Sequence, residues 1–274
     1  MKKTICFILA VLLLFVGCTT QESDNKWKPQ HVSDNIKPYA EKALDLVDQY
    51  LAFELSLEEL NAGLEEVFDR FDWYELLTAP NQESRADIAA SSAIWDLYLY
   101  YDDFNFNDNA FRMYRDILRF QLGQNVRGAT HSPTKTIRTG DEESQSLAKH
   151  LKLQEFPIFD AYVDFVGDPP LPSISLTFDL SNNVIPEDVF SYCKTLIKQV
   201  KKLEIGLDSL TIYYHIYGQT AFEIDVSLYD SGEYFLALNL INDEAAEPEY
   251  IEATDENIER MVVTATAYVS DYMK

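Results

Sequence analysis

The sequence lacks the short motifs by which many enzymes are recognised. It has no glycine-rich phosphate loop, no HExxH zinc motif, no GxSxG nucleophile motif and no closely spaced pair of cysteines. Nothing in the sequence therefore points directly to a nucleotide-dependent enzyme, a zinc hydrolase or a serine hydrolase. These absences favour a protein that is not an enzyme over one that is, without excluding an enzyme, and we expect no cofactor.

Positive charge is also scarce. The 274 residues include 22 lysines and arginines against 46 aspartates and glutamates, which gives a formal net charge of −24 at pH 7. Such an excess of negative charge repels phosphate backbones, so nucleic-acid binding is disfavoured. The 47% hydrophobic and 13% aromatic content is too high for a disordered stalk, and it predicts folded domains with apolar cores.

One hydrophobic run, at the N-terminus, is long enough to be notable. Lys2 and Lys3 precede an apolar stretch over about residues 5–16, which ends at Gly17 and Cys18. About a dozen apolar residues are too few to cross a bilayer, because a spanning helix needs about 20. The order of charged, apolar and small residues predicts a signal peptide over residues 1–17.

The end of this stretch, Phe15-Val16-Gly17-Cys18, resembles the lipobox of bacterial lipoproteins. The resemblance covers only the first 18 residues, and Phe15 stands where the commonest pattern has leucine. It implies that Cys18 carries diacylglyceryl and a further acyl chain such as palmitate, and that the membrane is a partner. The implied location is the extracytoplasmic side of a membrane in the cell envelope, the outer membrane if the host has one. The alternative is an ordinary signal peptide in which Cys18 is incidental.

Composition divides the rest of the chain into four parts. Residues 18–34 are polar apart from Trp27, which predicts a flexible tether behind the lipid anchor. Residues 35–123 follow a helical period, with a capping box at Ser56 and Glu59, and predict an antiparallel bundle of four helices. Residues 124–154 are rich in Gly, Thr, Ser and charge and predict a linker. Residues 155–274 form the last part.

This last part, residues 155–274, alternates between apolar and polar residues and predicts an α+β domain of order roughly ββαβββα. We expect a two-layer fold in which two helices cover one face of an antiparallel sheet while the other face looks outward. Cys193 lies on the apolar side of the first of these helices. Because Cys6 leaves with the signal peptide and Cys18 is implied to be acylated, no intramolecular disulfide is expected, and Cys193 is predicted to be a buried, inert thiol.

Strand register suggests one candidate catalytic site. Three-residue loops at 218–220 and 230–232 would place His215, Glu223 and Asn239 in one row across the outward sheet face. Glu223 would then orient His215 for acid–base chemistry, although no nucleophile completes the site. The alternative is a solvated charge pair. Tyr213 and Tyr217 of the same region are candidates for a binding surface.

Arginines recur on the fourth predicted helix at Arg112, Arg115 and Arg119. This stripe is a candidate site for an anionic ligand, and the alternative is pairing with carboxylates such as those of Glu65, Glu66 or Asp69.

A nearby segment, residues 103–107, imitates the start of a calcium-binding EF-hand loop. Asp108 and Tyr114 then occupy the positions that require glycine and glutamate, so we expect no metal site.

Together these features predict a membrane-anchored surface lipoprotein. The leading hypothesis is a binding or interaction module for an envelope protein, a peptide or a cell-wall component. One alternative is an envelope hydrolase or transferase that uses His215 and Glu223. A second alternative is a structural envelope protein that self-associates.

Overall fold

A computed structural model describes residues 26–70, 84–99, 108–126, 128–129, 131, 136–203, 206–228, 233–241 and 249–273. The predicted signal peptide and Cys18 lie outside these residues. Seven α-helices lie within them: α1 Lys37–Leu51, α2 Leu57–Asp69, α3 Arg85–Leu99, α4 Asp108–Gln121, α5 Glu142–His150, α6 Pro186–Leu203 and α7 Asp255–Val269. Seven β-strands lie there too: β1 Thr136–Thr139, β2 Asp160–Val166, β3 Leu171–Asp179, β4 Ser209–Ile216, β5 Gln219–Leu228, β6 Tyr234–Leu240 and β7 Ile251–Glu252.

The first four helices pack around a common apolar core. Each helix contacts the next one along the chain, and α4 packs back against α1. The predicted capping box is present at the start of α2, where the Ser56 hydroxyl accepts from the backbone N–H of Glu59 and the Glu59 side chain accepts from the backbone N–H of Ser56. These bonds satisfy amide groups that the first helical turn leaves unpaired.

Helix α3 does not bury its largest apolar side chains. Ile88 and Trp95 are 45% and 36% exposed. The buried face consists mainly of small side chains: Ala86, Ala89, Ala90, Ala93, Ile94 and Leu97. Alanines allow neighbouring elements to approach closely, so close packing decides the orientation of this helix more than side-chain size does.

The remaining chain builds one seven-stranded sheet of order β1-β2-β3-β4-β5-β6-β7. The α+β class is confirmed, but the sheet is larger than predicted and mixed, and residues 155–274 contain one short strand, β7, beyond the expected order ββαβββα. β1 pairs parallel with β2 and β3 pairs parallel with β4, while the other neighbours are antiparallel. The crossover through α6 makes the pairing of β3 and β4 parallel, because the connecting helix returns the chain to the same end of the sheet.

The segment predicted as a linker contributes to this sheet. Within 124–154 the structure has the edge strand β1 and the helix α5, which packs against β1 and β2. The Asp141 carboxylate accepts from the backbone N–H of Ser144 and so caps the start of α5. The Gly, Thr and Ser content of this segment therefore marks a short strand and a helix cap rather than a chain without regular structure.

The N-terminal residues 26–33, predicted to belong to the tether, pack into the fold. Trp27 is 2% exposed, and its indole N–H donates to the backbone oxygen of Thr220 at 3.2 Å. Gln30 exchanges hydrogen bonds with the buried side chain of Gln219, which also donates to Gln121 on α4. We call this segment, residues 26–33, the N-terminal strap. It connects the four packed helices α1–α4, which we call the helical unit, to the sheet.

Both faces of the sheet are partly covered by helices. The predicted pair, α6 and α7, packs on the apolar face, where Cys193 is 1% exposed and burial raises the pKa of its thiol to about 12. Its prediction as an inert core residue is therefore confirmed. On the opposite face, which was expected to look outward, α3 lies over the ends of β4 and β5. The helical unit and the sheet thus share a junction.

Candidate functional site

A cleft opens at this junction, between α3 and α4 on one side and the ends of β2, β4 and β5 on the other. Its volume is about 150 Å³. The walls are mainly apolar and are formed by Ile88, Ala89, Ala93, Ile117 and Phe159. Polar groups enter it from both sides: Arg85, Ser92 and Asp96 from α3, Tyr114 from α4, and His215 and Thr220 from the sheet.

Small residues on both walls create the space. Ala89, Ser92 and Ala93 follow one another at helical spacing on α3, and none of them has a side chain long enough to reach the sheet. Gly218 lies opposite, in the turn between β4 and β5. A methyl group added at Gly218 would meet Ile117 at 3.1 Å and Ala89 at 3.4 Å, so a larger residue would press against the helices.

Asp96 is the most perturbed carboxyl group of this cleft. Its pKa is raised from 3.8 to about 7, mainly by burial and in smaller part by the nearby carboxylate of Asp160. Two groups act in the opposite direction: the Tyr114 hydroxyl donates to Asp96 Oδ2 at 3.0 Å, and the guanidinium of Arg138 lies in the vicinity. Asp96 therefore changes its charge close to neutral pH.

His215 lies on the sheet side of the same cleft. Its Nε2 is 3.2 Å from the hydroxyl of Thr220. Burial lowers the pKa of His215 below its usual value of 6.5, although the carboxylates of Asp179 and Asp160 act against this. At neutral pH the imidazole is therefore mainly uncharged.

The predicted row of His215, Glu223 and Asn239 does not form. Tyr213, rather than His215, lies opposite Glu223, while His215 pairs with Thr220 across a β-bulge. The Glu223–Asn239 part of the row is confirmed, and the Asn239 amide donates to the Glu223 carboxylate at 2.6 Å. Neither of these two residues lines the cleft.

The error comes from the turn between β4 and β5. Tyr217 and Gly218 have φ angles of 48° and 86°, which is the pattern of a two-residue hairpin turn, whereas a three-residue loop at 218–220 was expected. Beyond the bulge the pairing is shifted by two residues from the expected register, so Ile224 faces Ile212. A shift of two keeps each side chain on its predicted face.

Tyr217 has a structural role. It is 3% exposed, and its hydroxyl donates to the backbone oxygens of Val126 and Ala129 at 2.9 and 3.0 Å. Burial raises the pKa of the Tyr217 hydroxyl to about 12. Its predicted place on a binding surface is therefore wrong. Tyr213 is half-buried on the sheet face beside Glu223 and also lies outside the cleft.

The arginine stripe is paired in part with carboxylates, but with different ones from those proposed. Arg119 donates to both oxygens of Asp48 at 2.9 Å, and Arg115 donates to Asp116 at 2.9 Å. Asp116 also contacts the imidazole of His131 at 3.0 Å. Arg112 is exposed on the same helix. Arg119 therefore joins α4 to α1, whereas Arg115 binds a neighbouring carboxylate on the same helix.

The predicted absence of a metal site at residues 103–107 concerns a segment outside the described residues. Among the residues that the structure does describe, no group of three or more His, Cys, Asp or Glu side chains is placed to hold a metal ion. In the same part of the chain, no helix has both the length and the hydropathy required to cross a bilayer.

A second groove, also of about 150 Å³, lies between α6, α7 and the end of β6. Two of its three cations have partners within the fold: Lys194 binds the Asp255 carboxylate at 2.6 Å, and the ammonium of Lys201 lies 4.9 Å from the centre of the Tyr234 ring. Because these charges balance one another locally, the groove offers less to a ligand than the cleft at the junction.

Sequence reasoning found His215 but missed Asp96, Ser92 and Tyr114. One signal was available for Asp96, since it lies three residues after Ala93 on the small, buried face of α3. A carboxyl group on such a face is costly unless it has a partner or a function. Comparison with family models, with curated proteins and with solved structures finds no match for this chain.

Proposed function

We propose that this protein is a lipid-anchored protein of the bacterial cell envelope that binds a small ligand in the cleft between α3 and the sheet. One observation carries the proposal: apolar walls enclose space for a small molecule, and Asp96 and His215 enter this space from opposite sides. Ligand sites are typically concave and apolar, with a few converging polar groups, and they favour junctions between structural units. Ionisable groups with shifted pKa values also concentrate at functional sites.

Two other functions receive less support. The hydrolase or transferase hypothesis required His215 and Glu223 to act together, but His215 pairs with Thr220 and Glu223 lies outside the cleft. A purely structural envelope protein has no use for a ligand cleft, so it becomes the preferred hypothesis if no small molecule enters this space.

Blocking the mouth of the cleft tests ligand binding. Ser92 is exposed at its rim, so Ser92→Trp places an indole over the opening without disturbing the core. The probes are butylammonium, 1-butanol, butyrate, benzylammonium, benzyl alcohol and phenylacetate, followed by NMR shifts of the backbone amides of Ala89, Ala93 and Gly218. We expect at least one probe to shift these amides in the natural protein, with Ser92→Trp weakening its binding about tenfold or more.

Val263→Trp is the matched control, because Val263 is 69% exposed on α7 and lies away from the cleft. It should bind the same probes as the natural protein. If none of the six probes moves the cleft amides, ligand binding at this site is refuted and the structural hypothesis takes its place.

The lipid anchor needs a separate test. Cells that express the natural sequence should incorporate a palmitate analogue into the protein and keep it in the membrane fraction after a high-salt wash, because more than one acyl chain makes an effectively permanent anchor. Cys18→Ser should lose both the label and the membrane attachment. Cys193→Ala is the control, since Cys193 is buried and cannot accept a lipid in the folded protein. Equal labelling of Cys18→Ser would contradict the anchor.

A further inference from the structure

We propose that the cleft selects ligands that carry a primary ammonium group and that the Asp96 carboxylate binds this group. The inference rests on the proposed function, because it assigns the chemical class of the ligand for the same cleft. Its basis is the distribution of charge and apolar surface along the walls.

Negative charge gathers where Asp96 enters the cleft. The carboxylate of Asp160 is close enough to Asp96 to raise its pKa. One oxygen of Asp160 binds Arg138, while its Oδ1 is buried and has no hydrogen-bond partner within the described part of the chain. Asp160 does not itself line the cleft, but its carboxylate adds negative charge near Asp96, and an ammonium group bound by Asp96 would be attracted to both.

The cations near this point already have partners within the fold. Arg138 forms an ion pair with Asp160. Arg85 lines the other end of the cleft, but it donates to the backbone oxygens of Thr220 and Ile241 and lies over the Trp27 ring, 5.7 Å from its centre. Through these contacts Arg85 joins the helical unit to the sheet. The net charge of −24 further favours the approach of cations to the whole molecule.

The apolar walls fit the rest of such a ligand. The rings of Tyr114 and Phe159 meet edge to face at 6.3 Å beside Asp96, and aromatic rings attract cations as well as alkyl groups. A cavity of about 150 Å³ accommodates a molecule about the size of benzene. A four-carbon chain with a terminal ammonium fits this space, whether it belongs to a free amine or to the side chain of a lysine in a peptide.

Protonation of Asp96 makes this binding dependent on pH. An ammonium group needs the carboxylate form, and the Asp96 pKa of about 7 means that this form is lost below neutral pH. The groups that face Asp96 are Tyr114 from α4, Asp160 from β2 and Arg138 from β1, with His215 and Arg85 on the walls of the same cleft. Protonation of His215 at low pH adds repulsion and acts in the same direction.

The test compares probes of equal length at pH 8, with the NMR shifts of the cleft amides as the readout. Butylammonium should bind at least about tenfold more tightly than 1-butanol or butyrate, because a hydrogen bond to a charged group is much stronger than a neutral one. Its affinity should fall by about 100-fold between pH 8 and pH 5, because pH 5 lies two units below the Asp96 pKa of about 7 and most of the carboxyl group is then protonated.

Asp96→Asn should remove both the preference for butylammonium and most of its pH dependence. Glu223→Gln is the matched control, since it removes a carboxylate from the same sheet face outside the cleft and should bind like the natural protein. A lysine probe that is acetylated at its α-nitrogen and amidated at its carboxyl group, with the side-chain amine free, distinguishes the source of the amine. If this probe and butylammonium both bind, peptide side chains enter the cleft; if butylammonium alone binds, the site takes free amines.

The possible failures are distinct. If 1-butanol or butyrate binds as tightly as butylammonium, the ligand class is wrong while the proposed cleft function stands. If Asp96→Asn binds butylammonium like the natural protein, Asp96 is not its partner and the inference fails. If no probe reaches the cleft amides, the proposed function itself is refuted.

Discussion

Replacing Trp27 by alanine is expected to lower the free energy of unfolding by about 3–5 kcal/mol, the usual loss when a large buried aromatic side chain is removed. The ring packs against Phe120 and Tyr272, with centroid distances of 6.2 and 4.9 Å. The substitution also leaves the backbone oxygen of Thr220 without the indole donor. Urea denaturation at pH 8, followed by circular dichroism, measures this loss directly.

Phe53→Ala provides the control, because Phe53 is 90% exposed and its removal should change stability by less than about 0.5 kcal/mol. If Trp27→Ala were as harmless as Phe53→Ala, the N-terminal strap would not be part of the folded structure, and the flexible tether predicted for residues 18–34 would be the better description.

Asp96→Asn should stabilise the protein at pH 8 although it removes the proposed ammonium partner. The folded-state pKa of Asp96 is raised from 3.8 to about 7, so the folded state binds a proton more readily than the unfolded chain does between these values. Stability is therefore lost as the pH rises through this window. The asparagine cannot ionise, so we expect a gain of about 1–4 kcal/mol at pH 8 that shrinks to less than about 1 kcal/mol at pH 4.

Denaturation of the natural protein and of Asp96→Asn at pH 4 and pH 8 checks this prediction. Asp141→Asn is a control of opposite sign, because hydrogen bonds from the start of α5 lower the pKa of Asp141 and its carboxylate therefore stabilises the fold above pH 4. A loss of stability in Asp96→Asn at pH 8 would show that the charged carboxylate is satisfied within the fold and needs no ligand. A gain would mean that Asp96 is retained at a cost in stability, which is typical of functional sites.

Sequence periodicity was sufficient for the helices of residues 35–123 and for the faces of the central strands, but it missed β1, α5 and β7. The β5–β6 register, with Ile224 opposite Leu238 and Val226 opposite Leu236, is confirmed. The neighbouring β4–β5 register was wrong, because the Tyr217-Gly218 turn lacks the Asn-Gly or Asp-Gly pair that usually marks a two-residue hairpin. Alternation of apolar residues defines which face of the sheet a side chain occupies. It does not define the cross-strand partner, since a register shift of two residues changes the partner and keeps the face.

The candidate site depended on contacts that are distant in the sequence. Trp27 stands alone in a polar segment, and only the arrangement of β5, α4 and α7 shows that it is buried. Asp96 becomes a site residue because α3 turns its alanine face towards His215, which lies more than a hundred residues later. Neither local propensity nor hydrophobic periodicity contains information on how the helical unit and the sheet meet.

The glutamine contacts of the N-terminal strap bear on how a ligand enters. Gln219 on β5 holds both Gln30 of the strap and Gln121 of α4, and Gln121 in turn donates to the backbone oxygen of Tyr217. These hydrogen bonds fix the two walls of the cleft to each other. If the cleft binds a ligand as proposed, association would require no closing motion of these walls and would cost little conformational entropy.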